Sequence, residues 1–238
     1  MATLLQIPGQ SSPDSALAAD ALQFLEQSGY YERAVVIHLD VKFSKNNRQM
    51  GAFKAAFRGT SSKAMSIMHT KDPKSGRYPI MAKAIFQGTH SNGAVVLARA
   101  PRQLQDLGME AHCLIFGHAF LNLVYGYVDK WCHEKGETRQ TAKISTGIPN
   151  VRFIAAGMGI QQRGGDNPRV ILVEEFINGS FTKYINNADA QVLPQRCSDT
   201  EAKVIGEFLA FSQHVQYWKT KKQVFVTDYQ GRLIASDR

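Results

Sequence analysis

With 44% hydrophobic and 20% charged residues, a chain of 238 residues has the composition of a folded globular protein and can bury a sizeable core. Its formal net charge of +8 points to polyanionic partners such as nucleotide phosphates, acidic peptides or nucleic acid. Three cysteines (Cys113, Cys132 and Cys197) without a CxxC pair leave neither a disulfide framework nor a complete zinc motif visible. The first ten residues lack the basic start and apolar run of a secretion signal, so the chain reads as intracellular and cytoplasmic. Its greasiest stretch, Leu114 to Val128, is interrupted by His118 and Asn122 and reads as too short to span a bilayer, which argues against a membrane partner.

Residues 1–14 are rich in Pro, Ser and Gln and read as a tail. A short helix follows, capped by Asp14 or Ser15, with Leu17, Ala21, Leu22 and Leu25 on one face and Gly29 at its end. Ala34 to Phe43 alternates apolar and polar residues and reads as a strand. A turn at Asn46-Asn47 would join it to a second strand, Gly51 to Phe57, and a polar loop from Ser61 to Lys74 precedes a third, Tyr78 to Phe86. Leu104 to about Lys135 has apolar residues at helical spacing and no proline, predicting one or two helices with Gly117 and Gly126 as weak points. Val151 to Ile160 and Val170 to Phe176 read as strands joined by the loop Gln161 to Pro168. Asn178-Gly179-Ser180 matches a glycosylation sequon and reads as a turn. Thr200 to Tyr217 predicts a helix with Val204, Phe208, Phe211 and Val215 facing the core, and Gln223 to Thr227 a last strand. This order suits an α+β architecture of two lobes better than a regular βαβ alternation.

Several residues are placed to do chemistry. Lys83 interrupts the apolar run of the third strand; it either faces water at an edge or needs an anionic partner such as a nucleotide phosphate. Gly51, between two predicted strands, either serves a turn or lets backbone amides approach phosphate oxygens. Glu110, or alternatively Asp106, near the start of the long helix could steady that lysine, although a helix start favours acidic residues anyway. Glu174 and Glu175 close an apolar strand and lead into Phe176-Ile177-Asn178-Gly179, which reads as a hinge with backbone groups free to meet an adenine edge. Asp228 and Gln230 stand two apart at the end of the last predicted strand, so they would face the same side. There Asp228 could take a proton from a hydroxyl and Gln230 offer its carbonyl oxygen to Mg²⁺; a strand closed by an ordinary turn is the plainer alternative.

The succession ILVEEFINGSFTKYINN (171–187), AFSQH (210–214) and VFVTDYQG (224–231) resembles the alpha-kinases, the atypical protein kinases typified by myosin heavy chain kinase and elongation factor 2 kinase. The resemblance implies a two-lobed α+β kinase-like fold. A tail and short helix would occupy residues 1–30, and the domain 31–238, with an N-lobe to about 173 and a shortened C-lobe after it. It implies an ATP-dependent kinase acting on Ser or Thr of a protein substrate. Lys83 would hold the phosphates, Glu174 or Glu175 lie in the hinge, and Lys183, Asn186 and Asn187 line the phosphate and substrate region. Asp228 would be catalytic and Gln230 a metal-site residue in a DxQG motif. His214 precedes Asp228 by fourteen residues (228 − 214 = 14), the family's spacing for one of its four zinc ligands. The other three would lie beyond Arg238, so His214 reads as a vestigial ligand and the chain as zinc-free and C-terminally shortened. Asp237 stands in for a Mg²⁺-binding aspartate, one residue closer to Asp228 than the family spacing and without the proline that follows it there. A nucleotide-binding module without catalysis is the alternative. A nucleic-acid binder is suggested by the charge alone, since the lysines and arginines are scattered and form no recognised motif.

Overall fold

The computed structural model describes residues 2–5, 31–32, 37–39, 48–51, 53–66, 69–89, 91, 95–141, 148–161, 170–179, 181–187, 192 and 200–232. The expected helix at Asp14–Gly29, the turn at Asn46-Asn47, the expected loop Gln161 to Pro168 apart from Gln161 itself, and Asp237 lie outside them. The described residues form two compact units. The first comprises Met1–Leu114 and Ile154–Phe176, the second Ile115–Phe153 and Ile177–Arg238.

The first unit holds an antiparallel sheet. Its strands are β1 (Ala2–Leu5), β2 (Tyr31–Glu32), β3 (Ile37–Leu39), β4 (Arg48–Met50), β5 (Lys54–Ser61), β6 (Tyr78–Thr89), β7 (Val95–Leu97), β8 (Ala156–Gln161) and β9 (Val170–Glu175). They run in the order β2-β1-β8-β9-β6-β5-β3, with β4 also on β5 and β7 also on β6. Every residue of β9 is buried, because this central strand is covered on both faces. Val170 and Leu172 join Ile85, Ala98, Leu107, Ala111 and Met158 in one core, while Ile171 and Val173 join Ala55, Phe57, Ile80, Ala82 and Ala84 in the other. At about 25 cal/mol per Å² of apolar surface, these two cores are the main source of the sheet's stability.

A single helix, α1 (Ala100–Glu134), supplies Leu107 and Ala111 to the first unit and its second half to the other. It begins four residues before the expected Leu104, since Pro101 sits in its first turn, where a missing N–H costs nothing. It runs unbroken through Gly117 and Gly126. Gly117 is buried there against the Phe153 ring, from which a Cβ would lie only 3.2 Å. By length and composition alone α1 could cross a membrane, unlike the shorter apolar stretch marked in the sequence. Within the second unit Leu121 and Val124 instead pack on Phe208 and Val215 of α2 (Thr200–Lys219).

Four sequence expectations shift. The second strand starts at Lys54 rather than Gly51, and only Ala156 onward of the expected 151–160 strand is in the ladder. Phe211 is exposed; Ile205, Leu209, Ser212, Gln213 and Gln216 are buried instead, alongside Phe208 and Val215. Residues 224–229 form no strand. The last strand is β11 (Gln230–Gly231), which pairs with β10 (Thr182–Lys183).

Candidate active site

In the first unit, alternation along the strands decides which side chains meet. The register Lys54↔Ile85, Ala56↔Lys83 and Lys83↔Leu172 puts Lys54, Lys83 and Glu174 on one face, the one that α1 covers with Leu107 and Ala111. Glu110 of α1 completes the group. Lys54 Nζ lies 2.6 Å from Glu110 Oε2, and Lys83 Nζ lies 2.7 Å from Glu174 Oε1 and 4.0 Å from Glu110 Oε1. Four charges of alternating sign thus share a half-buried surface. Burial pushes the Glu174 carboxyl above its usual range, and the ammonium of Lys83 opposes that rise. Lys83 is therefore not an edge lysine facing water; it is paired.

Two partners differ from expectation. The nearer cation to Glu110 is Lys54, a residue sequence reasoning passed over, and Asp106 bonds Arg102 one turn away. Lys54 could be found only from the register, which sets it beside Lys83 across the strands. Another residue missed is Gln103, buried in the first turn of α1. Its Nε2 donates to Ile85 O (2.6 Å) and its Oε1 accepts from Ile85 N (2.7 Å), holding β6 two residues beyond Lys83.

Glu175 faces the opposite side and ties down neighbouring backbone. It accepts from Ala155 N at 2.8 Å and from Ser66 Oγ at 3.0 Å. The amides of Glu175 and Phe176 donate to Ala155 O and Pro79 O, both at 3.1 Å. Of the expected hinge Phe176-Ile177-Asn178-Gly179, the Phe176 amide is therefore already bonded. The amide of Gly51 likewise donates to Lys54 O at 2.9 Å and closes a turn.

In the second unit, the β10–β11 pairing sets Lys183 directly opposite Gln230. Lys183 Nζ lies 2.8 Å from Asp228 Oδ1. Asp228 and Gln230 were expected to share one strand face, but Asp228 sits outside any strand with φ of 59°. That left-handed conformation, which Asp tolerates better than most residues, turns the chain between Thr227 and Tyr229. Thr227 Oγ1 donates to Asn186 O (2.7 Å), while Asn187 is exposed. Tyr229 is buried, its N–H-paired carbonyl accepting from Tyr184 N at 2.9 Å, and burial pushes its phenol up to about 12. Lys183, some forty-five residues earlier in the chain (228 − 183 = 45), is thus brought to the exposed carboxylate of Asp228 and opposite Gln230.

The family model of the alpha-kinases matches residues 49–237, most of the chain. The chain belongs to the alpha-kinase family. No curated protein matches it. Among solved structures it is similar to the apoenzyme alpha-kinase domain of myosin-II heavy chain kinase A, at 15% identity over 82% of this chain and 70% of that one, with a TM-score of 0.45. It is also similar to the alpha-kinase domain of myosin heavy chain kinase A in complex with AMP, at 14% identity over 83% and 72%, with a TM-score of 0.43.

For an alpha-kinase the expected α+β fold, a sheet with one long helix, is what the chain adopts. His214 lies on the exposed side of α2, whereas its neighbour Gln213 is buried. Among the described residues no group of three or more His, Cys, Asp or Glu side chains is arranged to hold a metal.

Proposed function

We propose that this alpha-kinase chain is an ATP-dependent protein kinase that phosphorylates Ser or Thr. What supports the reading most is the exposed Asp228 carboxylate with the Lys183 ammonium 2.8 Å away and Gln230 opposite Lys183 in the strand pairing, because phosphoryl transfer to a hydroxyl uses a carboxylate to take the proton and a cation to steady phosphate charge. In the proposed reaction the hydroxyl oxygen bonds the γ-phosphorus while the bond from that phosphorus to the β–γ bridging oxygen breaks. The hydroxyl proton passes to Asp228, and ADP leaves. Lys83 and Lys54 present two ammonium groups on one sheet face to phosphate oxygens, with Glu174 and Glu110 holding them extended beforehand. Such positioning, rather than covalent chemistry, would supply most of the rate.

The side-chain carbonyl oxygen of Gln230 is of the donor type that suits Mg²⁺, which is commonly bound through one or two protein oxygens plus phosphates and its own waters. Asp237 is a further candidate donor. Bound there, Mg²⁺ would neutralise charge on the phosphates.

The test is phosphotransfer from labelled Mg-ATP to a Thr-rich basic peptide, with Asp228→Ala as control. Label transferred by the wild type and lost in the variant supports the kinase. A folded wild type that Mg-ATP stabilises without transferring label would be a nucleotide-binding module instead.

A further inference from the structure

We propose that Gln216, fully buried in α2, is a positioning residue that holds the Asp228 loop in its working shape, with Gln213 as its partner. This rests on the kinase reading above. The segment 224–229 has no strand ladder of its own, yet it carries Asp228 in a left-handed conformation that costs about 1 kcal/mol for a non-glycine residue. Something outside the loop must hold it there. The side chains of α2 do so.

Both backbone groups of Val226 are taken by that helix. Val226 N donates to Gln216 Oε1 at 2.8 Å, and Val226 O accepts from Gln213 Nε2 at 2.9 Å. On the far side of Asp228, Gln216 Nε2 donates to the Tyr229 hydroxyl at 3.2 Å. One amide group thus grips the chain two residues before the aspartate and one residue after it. Because a backbone N–H can only donate, the orientation of the Gln216 amide is dictated: oxygen toward Val226, nitrogen toward Tyr229. Gln216 is 0% and Gln213 3% exposed, so water does not compete for these bonds. Thr227 Oγ1 on Asn186 O and Tyr184 N on Tyr229 O tie the same loop to the segment bearing Lys183. The loop is therefore braced at Val226, Thr227 and Tyr229, leaving the Asp228 carboxylate aimed at Lys183.

The test compares wild type, Gln216→Met and Tyr229→Phe. Methionine keeps the volume of Gln216 and removes both bonds; phenylalanine removes only the hydroxyl and is the milder variant should the first fail to fold. Steady-state phosphotransfer is measured well below each unfolding midpoint, and rates are corrected for the folded fraction. A loosened aspartate should lower kcat about tenfold or more in Gln216→Met, and by less in Tyr229→Phe, with KM for ATP unchanged within about twofold. Amide exchange is read in parallel: Val226 N–H should be protected in the wild type and lose that protection in Gln216→Met while the amides of β6 and β9 keep theirs. An unchanged kcat in a folded variant, or an unchanged Val226 protection, overturns the proposal. A wild type that transfers no phosphate sinks the kinase reading and with it the catalytic part of the proposal. The exchange result then still decides, on its own, whether Gln216 holds the loop.

Discussion

Glu174 has a single side chain doing two opposed things: it neutralises Lys83 and it sits where a charge is poorly solvated. Burial, the larger effect, raises its carboxyl above the ordinary value of 4.5, with Lys83 pulling the other way. A carboxyl with a raised folded pKa binds its proton more tightly in the folded chain than in the unfolded one. Its contribution to stability is therefore fully present below the ordinary value and lost as the pH rises through the raised one. Denaturant titrations across that window should show wild-type stability falling with rising pH, with a flatter profile for Glu174→Gln; equal slopes would show that Glu174 does not titrate as its burial requires. Lys83→Met and Lys54→Met should each weaken ATP binding about tenfold or more in calorimetry, since each removes one ammonium from the same face. Lys83 was legible as an anomaly in an apolar strand. Lys54 was not, because nothing in its own neighbourhood marks it; only the pairing of β5 with β6 does.

The two helices end alike in hydrogen bonds and differently in sequence. At the end of α1, Glu137 N donates to Cys132 O and Gly136 N to His133 O, with Gly136 at φ 68°. At the end of α2, Lys222 N donates to Tyr217 O and Lys221 N to Trp218 O, with Lys221 at φ 55°. Both are the same left-handed helix stop, for which glycine is the favoured residue. The first helix was expected to end at about Lys135 and ends at Glu134. The second was expected to end at Tyr217 and runs to Lys219; nothing in the sequence marked Lys221 as left-handed, and the β-branched run after it read as a strand. Lys221→Gly should raise stability by about 1 kcal/mol and Gly136→Lys lower it by a similar amount, measured by thermal unfolding. No change in either would mean these turns are not strained as their φ values require. The expected core position of Phe211 failed for a related reason. The buried stripe of α2 is partly polar, with Ser212, Gln213 and Gln216 in it, and a hydrophobic pattern cannot see a core built on amides.

For the whole molecule, a ligand that binds only the folded chain stabilises it by mass action. Mg-ATP at about a hundred times its Kd should therefore add about 2.7 kcal/mol to unfolding, a shift in melting temperature that Lys83→Met should reduce at the same concentration. A wild-type midpoint indifferent to Mg-ATP would remove nucleotide binding from the account. Sequence alone determined the family, because the motifs from Ile171 to Gly231 are local strings. It also determined the central strands and both long helices, because periodicity and burial are properties of neighbouring residues. Tertiary structure alone decided which charges meet: Lys54 with Glu110, Lys83 with Glu174, and Lys183 with Asp228. Those pairings depend on strand register and on a left-handed turn at Asp228, and register follows from the packing of two faces at once, which no single stretch of chain encodes.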